Sequence, residues 1–444
     1  MTRKTLIRGG TVLTLGARTP NFVEADVLIE NDRVIEVAPG IRARDAEIVD
    51  ASETIVMPGF IDTHRHVWKS LFRNFGVVSG GESNSSAQYG PHYEADDAYA
   101  ATLIGLFGAV EAGITTVVDW SDIQIDEAYT EAVLQAHADA GLRTVFVHAS
   151  PPWSDNHDDD ARAIRRLVES RAATPESLTT YAIGPRESDP STLERDEVDW
   201  ALARELGIRI YVHAGRLKSA AGVVASMSGK GMLGEDVTLI HCSNLDDQDL
   251  AAIVSSGARV SLTPAAEMAG GLGSPPIQRL IDHAIRPGLG VDNEQLVPGD
   301  IFAQMRALIS VQHATLFDLK LAGKAGIPNL MSTREVIRHA TIDGARVSGL
   351  GDVTGSLEPG KQADVVVLRT DRPNIYPIND PIGAVVWGMD TSNIDWVFVA
   401  GQALVRNGAL EGDMYRARDL AISARDRVAS AAGLDVGVSQ DAPQ

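Results

Sequence analysis

Through the middle of the chain, short apolar runs alternate with stretches whose apolar positions recur at helical spacing. The runs fall at residues 55–57 leading into 58–66, then at 114–120, 143–148, 179–184, 207–213, 237–241, 258–263 and 287–292. Helical periodicity fills the intervals, as at 98–112, 127–140 and 192–206. Strands and helices in this alternation predict a (β/α)8 TIM barrel, an α/β fold. The two ends of the chain have a different texture. Residues 5–8, 11–14, 25–30 and 33–38 read as short strands, with Asn31-Asp32 as a tight turn. Near the other end, 363–368 and 396–400 read as strands, with turns at Gly401-Gln402 and Asn407-Gly408. Residues 1–56 and 356–412 are therefore expected to pair into one small β-sandwich domain formed by both termini. The barrel then occupies 57–355, and a helix and polar tail follow over 413–444. Residues 78–90, rich in Gly, Ser and Asn, predict a long loop above the first barrel strand.

Several of these strands end on groups able to bind a cation. In Pro58-Gly59-Phe60-Ile61-Asp62-Thr63-His64-Arg65-His66, residues two apart share a face, so His64 and His66 point the same way and Arg65 points elsewhere. The glycine and proline allow a bend within this strand. A lone His-x-His is a weak signal. Its weight comes from His213, His241 and Asp292, each at the C-terminal end of a later strand. Parallel strands bring those ends to one face. Three or four histidines and a carboxylate make a full ligand set for a catalytic divalent metal, with a position left for water.

Composition narrows the partners. The chain has 444 residues, 44% of them hydrophobic, and a formal net charge of −21. That length suits one large barrel with an accessory domain. Its acidity argues against nucleic acid or an anionic membrane, both of which need a positive field. Cys242 is the single cysteine, so no intrachain disulfide forms and a reducing cytoplasm is the expected compartment. It reads as a core position. No apolar run resembles a signal peptide or is long enough to span a membrane.

Several motifs in order, namely 58–66, Ala112-Gly113-Ile114-Thr115-Thr116, His213, His241, Gly290-Val291-Asp292 and Gly355-Ser356-Leu357-Glu358-Pro359-Gly360-Lys361-Gln362-Ala363-Asp364, give the chain its kinship. Over nearly its whole length it resembles the amidohydrolase superfamily, in the branch containing cytosine deaminase and the triazine hydrolases. The resemblance implies that His64, His66, His213 and Asp292 bind one divalent metal, Zn2+ in preference to Fe2+. It implies that His241 orients the attacking water or the substrate oxygen, and that Asp292 accepts and passes on a proton. Relatives with two metals carry a lysine on strand four. Residues 179–184 contain none, which favours a mononuclear site. Homo-oligomers are common in such families.

One position departs from the branch. Its deaminases carry His-x-x-Glu on strand five, where the glutamate protonates a ring nitrogen. Here the segment is His213-Ala214-Gly215-Arg216, and a guanidinium cannot do that work. Glu267, just after strand seven, is a candidate replacement, with a solvated loop acid as the alternative. Arg216 and Arg186 are candidate partners for an anionic group on a small-molecule substrate. His148, His92 and Trp68 are further candidates for substrate contact, each with core packing or a loop position as the alternative. The expected activity is metal-dependent hydrolysis of a C–N bond in a small cyclic nitrogen compound, by deamination or by amide or amidine opening. Displacement of halide or another leaving group, or a metal-dependent lyase step, stands second. A non-catalytic binding protein stands last, because the ligand set is complete.

Overall fold

The structure is a computed structural model that describes residues 3–75, 85–153, 157–171, 177–185 and 193–436. Eight parallel strands form the barrel in chain order: β1 (Phe60–Arg65), β2 (Ile114–Ser121), β3 (Arg143–Ala149), β4 (Thr179–Gly184), β5 (Arg209–Ala214), β6 (Val237–His241), β7 (Arg259–Leu262) and β8 (Gly288–Leu289). Helices such as Ala95–Glu111, Glu127–Ala140 and Ile301–Leu321 return the chain between or after strands. The helix Glu127–Ala140 shows why such elements begin and stop where they do. The Asp126 side chain caps its first turn by accepting from Ala128 and Tyr129, and Gly141 ends it in the left-handed region at φ 70°. Most apolar side chains on the outer face of the barrel pack against these helices in one continuous core. A smaller cluster that includes Val118, Trp120, Val147, Tyr211 and Ile240 fills the barrel interior.

The ladder between β8 and β1 is short, and Asp292 completes it. Its amide donates to the His64 carbonyl at 2.9 Å, and its carbonyl accepts from the His66 amide at 2.7 Å. Close approach here needs Gly290, where a β-carbon would lie 2.7 Å from the His64 nitrogen.

Residues 55–57 and the His-x-His segment are not one bent strand as the sequence suggested. Thr54–Pro58 pairs with Val365–Arg369 in the terminal sheet, and β1 starts afresh after Gly59. A β-carbon at Gly59 would collide with Thr115, so glycine is required where the chain passes from one sheet to the other. The two ends of the chain meet in a single mixed sheet of nine strands, with Lys4–Val12 paired to Phe22–Glu30 and Glu47–Asp50, and Ile394–Val399 paired to Val365–Arg369. Arg143 at the start of β3 joins the two sheets through a buried, bidentate pair with Asp364, at 2.8 and 2.9 Å. Of the expected loop at 78–90, residues 78–84 lie outside the described residues, while Ser85–Tyr89 is a short helix. The acidic stretch after Asn156 opens the helix His157–Arg171. Among the described residues, no helix is long and apolar enough to cross a membrane.

Candidate metal centre

β1, β5, β6 and the turn after β8 deliver five side chains to one point at the C-terminal mouth of the barrel. Their donor atoms lie within 4.8 Å of one another in two overlapping groups, His64–His213–His241 and His64–His66–Asp292. All five residues are buried. His241 and Asp292 reach inward from left-handed backbone, with φ 71° and 70°. Non-glycine residues rarely adopt that conformation, and it is held here by the surrounding strand ends.

The spacing has a chemical meaning. His64 Nε2 lies 3.3 Å from His213 Nε2 and 3.7 Å from Asp292 Oδ1, and His66 Nε2 lies 3.6 Å from the same oxygen. Ligand atoms about 2.0–2.2 Å from a common centre at near-tetrahedral angles are separated by roughly that much. Burial, and then the neighbouring imidazole charge, pushes His64 and His213 well below the ordinary histidine value. Both rings are therefore neutral at pH 7, with nitrogen lone pairs free to bind a cation. Burial opposes ionisation of Asp292, but His241, His66 and His64 outweigh it and hold the carboxyl at about 2. Four imidazoles and one carboxylate fit a divalent cation.

A second layer of side chains orients the first. Asp122, beyond the end of β2, accepts from His66 Nδ1 at 2.7 Å and from the Trp68 indole at 2.6 Å. That bond leaves His66 Nε2 facing the centre. Burial would raise the Asp122 carboxyl, but His66, Lys69 and those two hydrogen bonds hold it far below the usual range. His241 Nδ1 meets Thr263 Oγ1 at 3.1 Å and Glu267 Oε1 at 3.4 Å. Arg65 turns away from the centre, as the strand alternation predicted. It donates to Asp62 Oδ2 and to the Gly299 carbonyl, both at 2.7 Å. Asp62 in turn accepts from the Val291 and His64 amides, pinning β1 to the turn that presents Asp292. Asp119 accepts from the Val67 amide and from His137, fixing the chain directly after His66.

The other candidates fall differently. Glu267 is neither on an open loop nor solvated. It is fully buried in the helix Pro264–Ala269, accepts from the Thr263 amide at 2.8 Å and stands behind His241. Trp68 is also fully buried, against Tyr89, Tyr93 and Trp153, and offers no exposed face for stacking. Trp120 stands closer to the centre, its ring 4.3 Å from that of His213. His148 is buried at the end of β3, outside the five-residue cluster, and desolvation brings it down to about 4. His92 is partly exposed, and its carbonyl accepts from Arg427. Arg216 follows β5 and adds its charge to those depressing His213, while Asn244 holds its carbonyl at 2.9 Å. Arg186 lies outside the described residues. Sequence reasoning missed Asp122, although it carries the same signal as the others, a polar group just past the end of an apolar strand.

Comparison with known proteins defines the class. The amidohydrolase family model matches residues 55–404, and the chain belongs to that family. It is a metal-dependent hydrolase acting on carbon–nitrogen bonds other than peptide bonds. The 5'-deoxyadenosine deaminase of Methanothermobacter thermautotrophicus is 26% identical over 425 residues, covering 91% of this chain and 94% of the relative. The 5-methylthioadenosine/S-adenosylhomocysteine deaminase of Symbiobacterium thermophilum is 26% identical over 424 residues, covering 89% and 92%. Among solved structures, a zinc-bound adenosine deaminase from Xanthomonas campestris superposes with a TM-score of 0.82 at 18% identity, covering 96% of this chain and 99% of the other. A variant of atrazine chlorohydrolase from Arthrobacter aurescens, complexed with zinc and atraton, gives 0.83 at 21% identity, covering 95% and 100%. These two share the fold.

Proposed function

We propose that His64, His66, His213 and Asp292 hold one Zn2+, in preference to Fe2+, and that the enzyme deaminates a small cyclic nitrogen compound of the purine nucleoside class. The observation that carries this is the 3.3–3.7 Å spacing of nitrogen and oxygen donors from separate strands around a common point. The names of the deaminase relatives supply the substrate class. A divalent ion held by these residues would bring the pKa of water to about 7 and so make hydroxide available at neutral pH. Asp292 takes the proton of the attacking water and carries it to the leaving group. His241, its ring fixed by Thr263 and Glu267 at Nδ1, would turn its other edge to the attacking water or the substrate oxygen and orient it. Glu267 is a positioning residue, acting through His241. Arg216 stands beside the centre and would pair with an anionic group on the substrate, such as the amino-acid carboxylate of S-adenosylhomocysteine.

Metal analysis of the purified protein, followed by ammonia release from 5'-deoxyadenosine, 5-methylthioadenosine and S-adenosylhomocysteine, tests the reading. One zinc per chain with ammonia release supports it. Metal-free protein under saturating zinc, or turnover without ammonia, removes it. Arg216→Gln should raise KM for S-adenosylhomocysteine about tenfold or more and leave 5-methylthioadenosine nearly unchanged. One feature favours a second reading. With Arg216 at the strand-five position of the usual glutamate, a leaving group needing no protonation, such as halide, suits the site better than an amine. A chloro-substituted triazine beside the nucleosides separates the two. The reading keeps the cytoplasm and a homo-oligomer as the expected setting, with residues 1–56 and 356–412 as one domain, joined by Met57 and Pro58 of the terminal sheet, around a barrel that begins after Gly59 and runs to 355.

A further inference from the structure

At the opposite end of the barrel from the metal centre, the structure holds a cavity of about 780 Å3 whose charge contradicts that of the whole molecule. Its walls come from the start of β7 (Ala258, Arg259), the segment entering β8 (Ile285, Arg286) and loops flanking the terminal sheet (Leu15, Glu358). Six cationic side chains line it: Arg18, Arg259, Arg286, Arg338, Arg346 and Lys361. Only two carboxylates, Asp352 and Glu358, do so, in a chain of net charge −21. Three of the cations are already engaged. Arg338 and Arg346 share Asp343 at 3.6 and 3.1 Å, and Lys361 donates to the Gly351 and Thr354 carbonyls. The guanidinium groups of Arg18, Arg259 and Arg286 make no hydrogen bond or ion pair among the described residues. Arg259 is half-buried, and burial together with the nearby Arg209 charge, partly offset by Glu235, pushes it below the usual arginine value.

Arg18 and Arg286 are exposed and Arg259 is half-buried, so three guanidinium groups without a carboxylate partner of their own face one recess and repel one another until an anion enters it. Planar guanidinium forks match phosphate and carboxylate oxygens two at a time. The cavity volume is that of a small-molecule site. We infer that this basal cavity, between the barrel floor and the terminal sheet, binds a small polyanion carrying at least two phosphate or carboxylate groups, with Arg18, Arg259 and Arg286 as its principal contacts. The site does not depend on the reaction proposed for the metal centre.

Calorimetric titration of the zinc-loaded, full-length protein with fructose 1,6-bisphosphate tests phosphate, and a parallel titration with tricarballylate tests carboxylate. Saturable binding of either at one site per chain is expected, weakened at least tenfold in Arg259→Gln/Arg286→Gln and to a lesser degree in Arg18→Ala. Arg18 is exposed, so its replacement reports on binding without risk to folding. Fructose 1,6-bisphosphate alone would identify a phosphate site, and tricarballylate alone a polycarboxylate site. Absence of saturable binding for both overturns the inference. So does binding that survives all three substitutions, because the anion is then held elsewhere, for instance at the metal.

Discussion

Asp122 illustrates how a single buried carboxylate governs a proposed ligand it never replaces. It receives two hydrogen bonds, from His66 and from Trp68, and so fixes both the tautomer and the tilt of the His66 ring. Asp122→Ala should lower zinc affinity about 10- to 100-fold, measured by competition with a chromogenic chelator, while Trp68→Phe should cost less because one donor remains. His148 leads to a pH prediction. Its folded value of about 4 lies below the ordinary 6.5, so between those limits the unfolded chain binds more protons than the folded one. Stability is therefore fully present above about 6.5 and falls as pH drops toward about 4. Urea midpoints at pH 7 and pH 5 should converge in His148→Phe relative to the parent, and equal pH dependence in both proteins would refute the assignment. The histidines and aspartate were legible in the sequence because ligand chemistry restricts residue type and strand ends restrict position. The partner of each ligand was not, because Asp122 and His66 are 56 residues apart and meet only when β1 and β2 pair.

Strand boundaries were legible where apolar runs are long and obscure where glycine intervenes. Gly59 separates two strands of different sheets that the apolar pattern joins into one, since hydrophobicity records burial and not the identity of the partner strand. Glu267 was misplaced for a related reason. A short helix begins directly after β7 at Pro264, and its first turn tucks the carboxylate behind His241. Gly290 carries the opposite lesson, as its necessity follows from the backbone of β1 lying against it. Gly290→Ala should destabilise the protein by about 1–3 kcal/mol and lower its zinc content, because the added carbon must force β8 away from His64. Normal zinc content with an unchanged urea midpoint would show that the strands have room to part.

The molecule as a whole is two sheets joined by a shared core, and the buried Arg143–Asp364 pair is a charged fastening between them. Asp364 also accepts from the Ala400 amide at 2.7 Å, so one carboxylate binds β3, the returning chain and the terminal sheet. Asp364→Ala leaves a buried guanidinium uncompensated and should cost about 3–5 kcal/mol in chemical denaturation. Zinc-binding stoichiometry of the folded fraction should stay unchanged, since the pair lies far from the barrel mouth. The alternation of strand and helix signals made the barrel legible at this level, whereas the basal cavity was invisible because its cations come from distant segments with no common motif.

The closing of the barrel adds a consequence of its own. Residue 292 supplies the last backbone rungs between β8 and β1, and the same residue turns its carboxylate into the candidate metal centre. Zipping the cylinder shut and completing the proposed chelate are therefore one event. A molecule with this seam ajar has no half-strength centre, so the rate at which a chelator strips the ion should track amide exchange at Asp292 and His66.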